Sequence, residues 1–176
     1  MSGVSVRRAV PADAHELVRL AEAVGAEPGR WLISTSEWRS VADERRYLRA
    51  VRRSDHAAVF VAEADGEIVG RMSLARDPHP ASFHVADLGL MVNARFRRRG
   101  VGTALLEAAV AWARAVGVAK LELHVFPHNE AAIALYERFG FVREGYRRNH
   151  YRRAGELIDA VLMALEVGPE DEPALH

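Results

Sequence analysis

Residues 88–141 constrain the fold more than any other part of the chain, because they read as strand, glycine-rich turn, helix, strand and helix in succession. Apolar residues alternate in each predicted strand and recur at helical spacing between them, up to Gly117. A strand–helix–strand unit of this length forms a right-handed crossover, so we predict two parallel strands. The apolar residues are Leu88, Leu90 and Val92 in the first strand, Val101, Leu105, Ala108, Ala109, Trp112 and Val116 in the helix, and Leu121, Leu123 and Val125 in the second strand.

The turn before the first of these helices combines arginines with glycines. Free N–H groups and the helix dipole favour an anion at a helix N-terminus. Gly100 and Gly102 carry no side chain, so a phosphate can approach the backbone closely. We therefore predict a phosphate-binding turn here, in preference to an ordinary loop with solvated arginines. Its residues are Arg97, Arg98, Arg99, Gly100, Val101, Gly102 and Thr103.

Two motifs in this stretch resemble those of the GNAT superfamily of N-acetyltransferases. Arg97-x-x-Gly100-x-Gly102 is similar to the family's R/Q-x-x-G-x-G/A pyrophosphate loop. The segment NEAAIALYERFGF, residues 129–141, is similar to its N-x-x-A-x-x-x-Y-x-x-x-G-F segment. The resemblance, which covers residues 4–166, implies acetyl-CoA as cosubstrate and an amine as acetyl acceptor. The cofactor-binding residues that it implies are Leu90, Val92, Arg97, Arg98, Arg99, Gly100, Val101, Gly102, Thr103, Asn129 and Tyr136.

The whole chain reads as a mixed α/β protein of one domain. A largely antiparallel sheet with the parallel pair at its centre and helices on both faces is expected. The resemblance implies the same GNAT fold, with six to seven strands and a parallel pair that splays apart. We expect helices to begin near Asp13 and Ser36, and a basic loop to follow a strand that ends near Arg147. Residues 1–168 are predicted to form the domain and residues 169–176 a solvated tail.

Composition excludes several kinds of protein. The 176 residues contain no cysteine, which removes a disulfide, a thiol nucleophile and a cysteine zinc site and agrees with a reducing cytoplasm. No apolar run is long enough for a membrane span, and no secretory signal opens the chain. The net charge is zero, so global charge does not favour nucleic-acid binding. The excess of arginine over the single lysine, Lys120, is typical of a high-GC bacterial sequence.

Tyr136 is our candidate for the general acid that protonates the departing CoA thiolate. It lies two helical turns after Asn129, and a phenol, with a pKa near 10, can donate a proton there. In GNAT enzymes the tyrosine at this motif position often serves as that acid; the alternative is a core tyrosine. Asn129 is predicted to cap its helix, contact the cofactor, or both. By resemblance, a backbone N–H at Leu90 or Val92 would stabilise the oxyanion.

The general base is less clear from the sequence. His124 lies on the second parallel strand and faces opposite to its apolar neighbours, beside Glu122. Some GNAT enzymes carry a glutamate base at this position, and a histidine can titrate near neutral pH. Asp87 and His84 on the preceding strand are rivals, because other family members place a carboxylate there. A chain of water molecules is a further alternative.

Four arginines surround two tyrosines in the segment GYRRNHYRR. This pattern fits a solvated loop, a nucleic-acid contact or a site for a substrate carboxylate. In GNAT enzymes the connection between the last two strands often borders the acceptor site. Arg148 and Arg152 are therefore predicted to bind the substrate, and nucleic acid is considered unlikely as a partner.

The predicted function is N-acetylation of a primary amine by direct attack in a ternary complex. The acceptor is expected to be the α-amino group of a small molecule, because residues 124–129 and 155–163 look like a bacterial subgroup with such acceptors. A protein N-terminal acetyltransferase and an acyl-CoA sensor without turnover are the alternatives. The histidines show no metal-ligand spacing, so no metal is expected; a homodimer is left open.

Overall fold

The computed structural model describes residues 3–33 and 38–168. Seven strands form one sheet in the order β1-β2-β3-β4-β5-β7-β6. Four helices connect or flank them. The strands are β1 (Ser5–Arg8), β2 (Ala57–Ala64), β3 (Glu67–Arg76), β4 (Val85–Val92), β5 (Lys120–Val125), β6 (Val142–Arg153) and β7 (Glu156–Glu166). The helices are α1 (Ala14–Gly25), α2 (Val41–Val51), α3 (Val101–Val116) and α4 (Glu130–Phe139).

The strands β4 and β5 form the predicted parallel pair, and they separate after three residues. Val85, Ala86 and Asp87 pair with 120–122, and no pairing follows although β4 runs on to Val92 and β5 to Val125. All other neighbouring strands are antiparallel. The splayed pair implied by the resemblance is therefore confirmed, and it opens a gap in the middle of the sheet.

Helices cover both faces of the sheet, as predicted. The helices α3 and α4 pack on one face, where Leu105 and Trp112 meet strand residues such as Leu121 and Leu123. The helices α1 and α2 pack on the other face, over β2 and β3, with Leu17 as one of their buried residues. The main sheet contacts of α1 and α2 are with β2, β3 and β4, so in the described part of the chain these helices are not packed closely over the gap beside β5.

The basic segment is a strand, and the prediction of a loop after Arg147 was wrong. β6 extends to Arg153 and pairs with β7 along its length, with a register shift between Arg147 and Tyr151. Asn149 takes a positive φ of 53° at this irregularity. Residues 142–150 are exposed on both faces of the edge strand, so no apolar alternation marks them in the sequence. Backbone pairing with β7, which the sequence does not display, makes this segment a strand.

The start of α2 also differs from the expected position. Ser40 caps this helix, because its Oγ accepts a hydrogen bond from the N–H of Asp43 at 3.1 Å. Ser36, where the helix was predicted to begin, lies outside the described residues, as does the predicted tail at 169–176. No helix in the described part of the chain is long and apolar enough to cross a membrane.

Candidate active site

A cleft of about 1500 Å³ passes through the sheet where β4 and β5 separate. On one side it is lined by the N-terminus of α3 and by α4. On the other side it is lined by polar side chains of β3, β4 and β5 and by the segment between α1 and α2. An extended ligand can therefore reach from the helix N-terminus on one face to titratable groups on the other.

The phosphate-binding turn lies at the first of these ends. Gly100 takes a φ of 83° as the N-terminal cap of α3, and this glycine has no side chain with which to cap the helix. The N–H of Ala104 donates to the carbonyl of Gly100, the first hydrogen bond of the helix. The N–H groups of residues 101–103 therefore have no acceptor within the helix and point out along its axis. Residues 100–103 all line the cleft. These features fit a pyrophosphate, which would accept hydrogen bonds from the free N–H groups.

The three arginines of the turn have different positions. The guanidinium of Arg97 donates to both carboxylate oxygens of Glu27, at 2.7 and 2.6 Å, and to the carbonyl of Val92. Arg97 therefore connects the turn to the residues that follow α1. The sequence motif alone does not indicate this contact. Arg98 lines the cleft, with a positive φ of 60°. Arg99 lies outside the cleft, near Asp65 and over the ring of Phe96.

Asn129 and Tyr136 both line the cleft from α4. The Asn129 side chain caps this helix by accepting a hydrogen bond from the N–H of Ala132 at 3.3 Å. Tyr136 is buried, with its ring against Phe141, and burial raises the pKa of its phenol well above the usual value. The phenol therefore keeps its proton at neutral pH, which an acid requires.

Leu90 and Val92 lie at the edge of β4 that faces the gap. The N–H of Asn93 bonds to the carbonyl of Val69 on the β3 side, and successive N–H groups of a strand point in opposite directions. The N–H groups of Leu90 and Val92 therefore point away from β3, toward the place that β5 has left. This orientation is the one that the predicted oxyanion contact needs.

The open face over the gap carries a cluster of titratable groups. Asp87 and Glu122 are register partners on β4 and β5, and His124 follows two residues along β5. Desolvation in the cleft and the charge of Glu122 raise the pKa of Asp87 to about 6. Burial, together with Arg147 and His150, lowers the pKa of His124.

Tyr151 completes this cluster. Its hydroxyl lies 2.6 Å from Nδ1 of His124, so the ring of that histidine is held in place. Burial and then the charge of Asp87 raise the pKa of Tyr151. Asp87, with a pKa of about 6, and His124, whose pKa is lowered, are both mainly deprotonated at neutral pH, so each has a free site for a proton.

Several predicted residues lie elsewhere. His84 was expected on the first parallel strand, but it lies exposed in the turn just before β4 and does not line the cleft. Arg148 and Arg152 are exposed on β6 and do not line it either, whereas Arg147 and Tyr151 do. The irregularity between Arg147 and Tyr151 decides which side chains of β6 turn toward the cleft.

Sequence reasoning missed Arg71, Trp38 and Ser73, which line the cleft from β3 and from the segment before α2. One signal was present, because Arg71 interrupts the apolar run of β3. A lone arginine in a buried strand needs a partner or a ligand, and its partner is distant in sequence.

The segment between α1 and α2 joins the two halves of the sheet across the cleft. Glu27 contacts Arg97 on the β4 side, and Trp31 donates to Glu27 at 2.8 Å. The carbonyl of Gly29 lies 2.9 Å from Nε2 of His128, which follows β5. The cleft therefore has a cover at the carboxyl ends of the parallel strands, where α/β proteins bind ligands.

Comparison with known proteins agrees with the sequence motifs. The family described as Acetyltransferase (GNAT) matches residues 22–141. The L-amino acid N-acetyltransferase AaaT of Escherichia coli is 38% identical over 60% of this chain and 65% of that protein. The [ribosomal protein bS18]-alanine N-acetyltransferase of Salmonella typhimurium is 36% identical over 58% of this chain and 74% of that protein. The matched segment thus spans just under two thirds of the first of these relatives.

Solved structures extend the match to nearly the whole fold. The acetyltransferase of GNAT family from Streptococcus pneumoniae is 30% identical, with a TM-score of 0.85 over 94% of this chain and 99% of that chain. Two solved structures of the same fold, less similar in sequence, hold acetyl-CoA. The resemblance is therefore confirmed, and the chain belongs to the acetyltransferase (GNAT) family.

Proposed function

We propose that this protein is an N-acetyltransferase that moves the acetyl group of acetyl-CoA to a primary amine, with the α-amino group of a small molecule as acceptor. The observation that carries the proposal is the cleft between β4 and β5. It joins a helix N-terminus that fits pyrophosphate to a proton-accepting cluster on the opposite face. The names of the relatives, which act on L-amino acids and on a ribosomal protein alanine, support the choice of an α-amino group.

The residues of the cleft divide the chemistry of acetyl transfer among them. Acetyl-CoA supplies the acetyl group as an activated thioester. The N–H groups of residues 101–103 and the side chain of Arg98 would hold its pyrophosphate, with Arg97 bracing the turn. Leu90 and Val92 would donate backbone hydrogen bonds to the oxygen on which negative charge develops. Tyr136 would protonate the leaving thiolate, and no covalent acyl-enzyme is needed.

Asp87 is the general base that the site supports best. It lies on the open face where the strands separate, and its carboxylate titrates close to neutral pH, with a pKa of about 6. His124, held by Tyr151, is the alternative base that the family resemblance suggests. Because both lie on the same face, a water molecule can also connect them to the acceptor amine.

A thiol-release assay tests the proposal. The protein is incubated with acetyl-CoA and with a panel of amino acids, polyamines, peptides and antibiotics, and products are identified by mass spectrometry. We expect CoA release that depends on an α-amino acceptor, with a mass increase of one acetyl group in that acceptor. Tight CoA binding without acceptor-dependent release across the panel would instead support the acyl-CoA sensor.

The second candidate function is acetylation of a protein N-terminus. The similarity to the bS18-alanine acetyltransferase favours it. A peptide that begins with alanine, compared with the same peptide blocked at its α-amino group, distinguishes the two proposals. Preference for the unblocked peptide over every free amino acid would establish the second function.

The setting of the protein is part of the same proposal. We place it in the bacterial cytoplasm, where acetyl-CoA is the ordinary acetyl donor.

The homodimer that the sequence leaves open stays a prediction, and light scattering of the purified protein measures it. Acceptor binding by Arg148 and Arg152 also stays a prediction, which alanine substitution of both residues tests through the KM of the acceptor.

A further inference from the structure

A buried cluster of charged and aromatic side chains forms one end of the cleft. Arg71, on β3, is 3% exposed, and its Nη2 lies 3.0 Å from Glu44, whose side chain is 0% exposed. Arg39 donates to the other oxygen of the same carboxylate at 2.7 Å. Two guanidinium groups thus share one carboxylate, which leaves an excess of one positive charge among the described residues of this cluster.

Three hydrogen-bond donors in this cluster have no acceptor among the described residues. They are Nε and Nη2 of Arg71 and Nε1 of Trp38. Although Nη2 is close to Glu44, its geometry does not make a hydrogen bond. Leaving buried donors unpaired is costly, and a charged donor costs more than a neutral one. Nη2 lies beside Oε1 of Glu44, which also has no hydrogen bond, whereas Nε of Arg71 and Nε1 of Trp38 can be satisfied by a ligand that brings acceptor oxygens.

The aromatic rings of the cluster orient the arginines. The Arg71 guanidinium lies 4.9 Å from the ring of Trp38, and the Arg39 guanidinium lies 4.3 Å from the ring of Tyr47. Such stacking uses the face of the guanidinium and leaves its edge, which carries the N–H groups, for hydrogen bonds in the plane. The edge of Arg71 can therefore receive a planar, anionic group such as a carboxylate.

Arg71 lies on the same face of the sheet as the residues beside the proposed reaction site. Arg71 is the register partner of Met91, and Ser73, two residues along on the same face, is the partner of Gly89. Arg71, Ser73 and Gly89 all line the cleft. A carboxylate bound at Arg71 would have its α-amino group two bonds from the carboxylate carbon, on the face that carries Gly89. That position is next to Asp87 and to the edge of β4 where the reaction is proposed.

Gly89 keeps this position open. A Cβ added at Gly89 would lie 3.0 Å from Oγ of Ser73, so any larger residue would push into the floor of the cleft. Leu32, Trp38 and Tyr47 pack, partly buried, against the apolar cluster that contains Met91. The acceptor's side chain would meet this apolar wall.

We propose that Arg71, assisted by the indole N–H of Trp38, binds the carboxylate of the acceptor, and that the acceptor is a free α-amino acid with an apolar side chain. This inference rests on the proposed N-acetyltransferase function and names its substrate class. It assigns carboxylate recognition to β3 and to the segment before α2, and not to Arg148 and Arg152 on β6. A peptide or protein N-terminus has no carboxylate at this distance from its amine, so this cluster selects against it.

The test compares L-leucine with L-leucinamide, in which a neutral amide replaces the carboxylate. Turnover is measured with acetyl-CoA, and binding is measured by calorimetry with CoA, which needs no turnover. For the natural protein we expect kcat/KM to be higher for leucine by about 10- to 100-fold, the range of hydrogen bonds to a charged group. We expect the same preference in the calorimetric affinities.

Two variants assign this preference to the cluster. Removing Arg71 alone would leave one buried oxygen of Glu44 without its charged neighbour, because Arg39 bonds to the other oxygen, so Arg71→Met is combined with Glu44→Gln. This double variant should acetylate leucine and leucinamide with similar kcat/KM. Trp38→Phe keeps the ring and deletes the donor, and it should lower the preference by about tenfold. Arg45→Met, on the exposed face of α2, removes the same charge outside the cluster and should keep the full preference.

The outcomes distinguish a failure of the carboxylate site from a failure of the proposed acetyltransferase function. Equal acetylation of leucine and leucinamide by the natural protein overturns the inference and leaves the acetyltransferase function standing. A preference that survives in the double variant also overturns it, because another group then binds the carboxylate. Selective binding of leucine that depends on Arg71, without any acetyl transfer, supports the carboxylate site and overturns the proposed function.

Discussion

At the scale of single residues, the chemistry of the cleft depends on where two protons are held. Tyr136 is buried with a raised pKa, so its hydroxyl carries a proton at neutral pH. We expect Tyr136→Phe to lower kcat by about 10²- to 10⁴-fold, the usual contribution of positioned proton transfer. Because the ring remains, stability and CoA affinity should change little. A thiol-release assay measures kcat, calorimetric titration measures the affinity for CoA, and thermal melting measures stability.

Core damage would have a different signature in this variant. If Tyr136 were only a packing residue, kcat would stay near that of the natural protein once product release is shown not to limit it. Simultaneous loss of thermal stability and of CoA affinity would show that the substitution disturbs the packing against Phe141.

In the proposed reaction, the acceptor amine loses the second proton to Asp87, and we expect this transfer to depend on pH. Only the deprotonated carboxylate accepts a proton, so kcat/KM should rise through pH 6, the pKa of Asp87. Asp87→Asn should remove this limb and lower the rate at pH 7. If His124→Gln removes the limb and Asp87→Asn leaves it in place, His124 is the base.

The carboxyl of Asp87 should also make stability depend on pH, and stability should fall as the pH rises, whereas kcat/KM should increase. Its pKa rises from 3.8 to about 6 on folding, so the folded state holds the proton more strongly than the unfolded chain does. Stability contributed by the protonated form is therefore lost as the pH rises from about 4 to 6. We expect Asp87→Asn to raise the melting temperature at pH 7 and to leave it nearly unchanged at pH 3.5. Calorimetric melting at both pH values measures this.

At the scale of elements, the turn between β4 and α3 depends on a contact with α1. Arg97 lies in the pyrophosphate motif, yet its guanidinium is bonded to Glu27 and to the carbonyl of Val92. This geometry gives Arg97 the role of holding the turn in shape. In the proposed function, phosphate binding is then assigned to the N–H groups of the first turn of α3.

Replacing Glu27 separates bracing by Arg97 from direct phosphate contact. If Arg97 braces the turn, Glu27→Gln should weaken CoA binding by about three- to tenfold, as expected for a partly exposed ion pair. If Arg97 instead binds the phosphate directly, the same change should strengthen binding, because it frees the guanidinium and removes a negative charge. Glu107→Gln, exposed on α3, is the control for the change in net charge. Calorimetric titration with CoA decides between them.

At the scale of the whole molecule, the sheet consists of two antiparallel parts that are joined through three residue pairs of β4 and β5. A ligand in the cleft contacts both parts and binds only the folded state. Saturation at 100 times the dissociation constant adds about 2.7 kcal/mol to the free energy of unfolding. We therefore expect CoA to raise the melting temperature by about 5–10 °C. Scanning calorimetry with and without CoA measures this shift.

Thr103→Asp provides the control for that shift. Thr103 is exposed in the first turn of α3, where an aspartate is compatible with the helix dipole and stability should be kept. Its negative charge would face the pyrophosphate. The CoA-dependent shift should therefore shrink in this variant, whereas an unchanged shift would place the phosphates elsewhere.

The sequence by itself determined the parts of the protein that depend on neighbours along the chain. The alternation in β4 and β5, the glycine turn before α3 and the seven-residue spacing of Asn129 and Tyr136 each arise within a few turns or strand residues. Local periodicity carries such information, so the order of elements from β4 to α4, the parallel pair and the family could be predicted. The same reasoning placed Glu122 and His124 on one face of β5 and named Asp87 on the preceding strand, and the structure shows that Asp87 and Glu122 are register partners.

Only the tertiary structure decided the features that join distant segments. The bracing of Arg97 by Glu27, the burial of Arg71 against Glu44 and the strand β6 all depend on partners many residues away. An arginine is compatible with solvent, a phosphate or a carboxylate, and its sequence neighbours do not choose among them. That choice is made when chain folding brings one carboxylate within 3 Å of a guanidinium and takes both away from water.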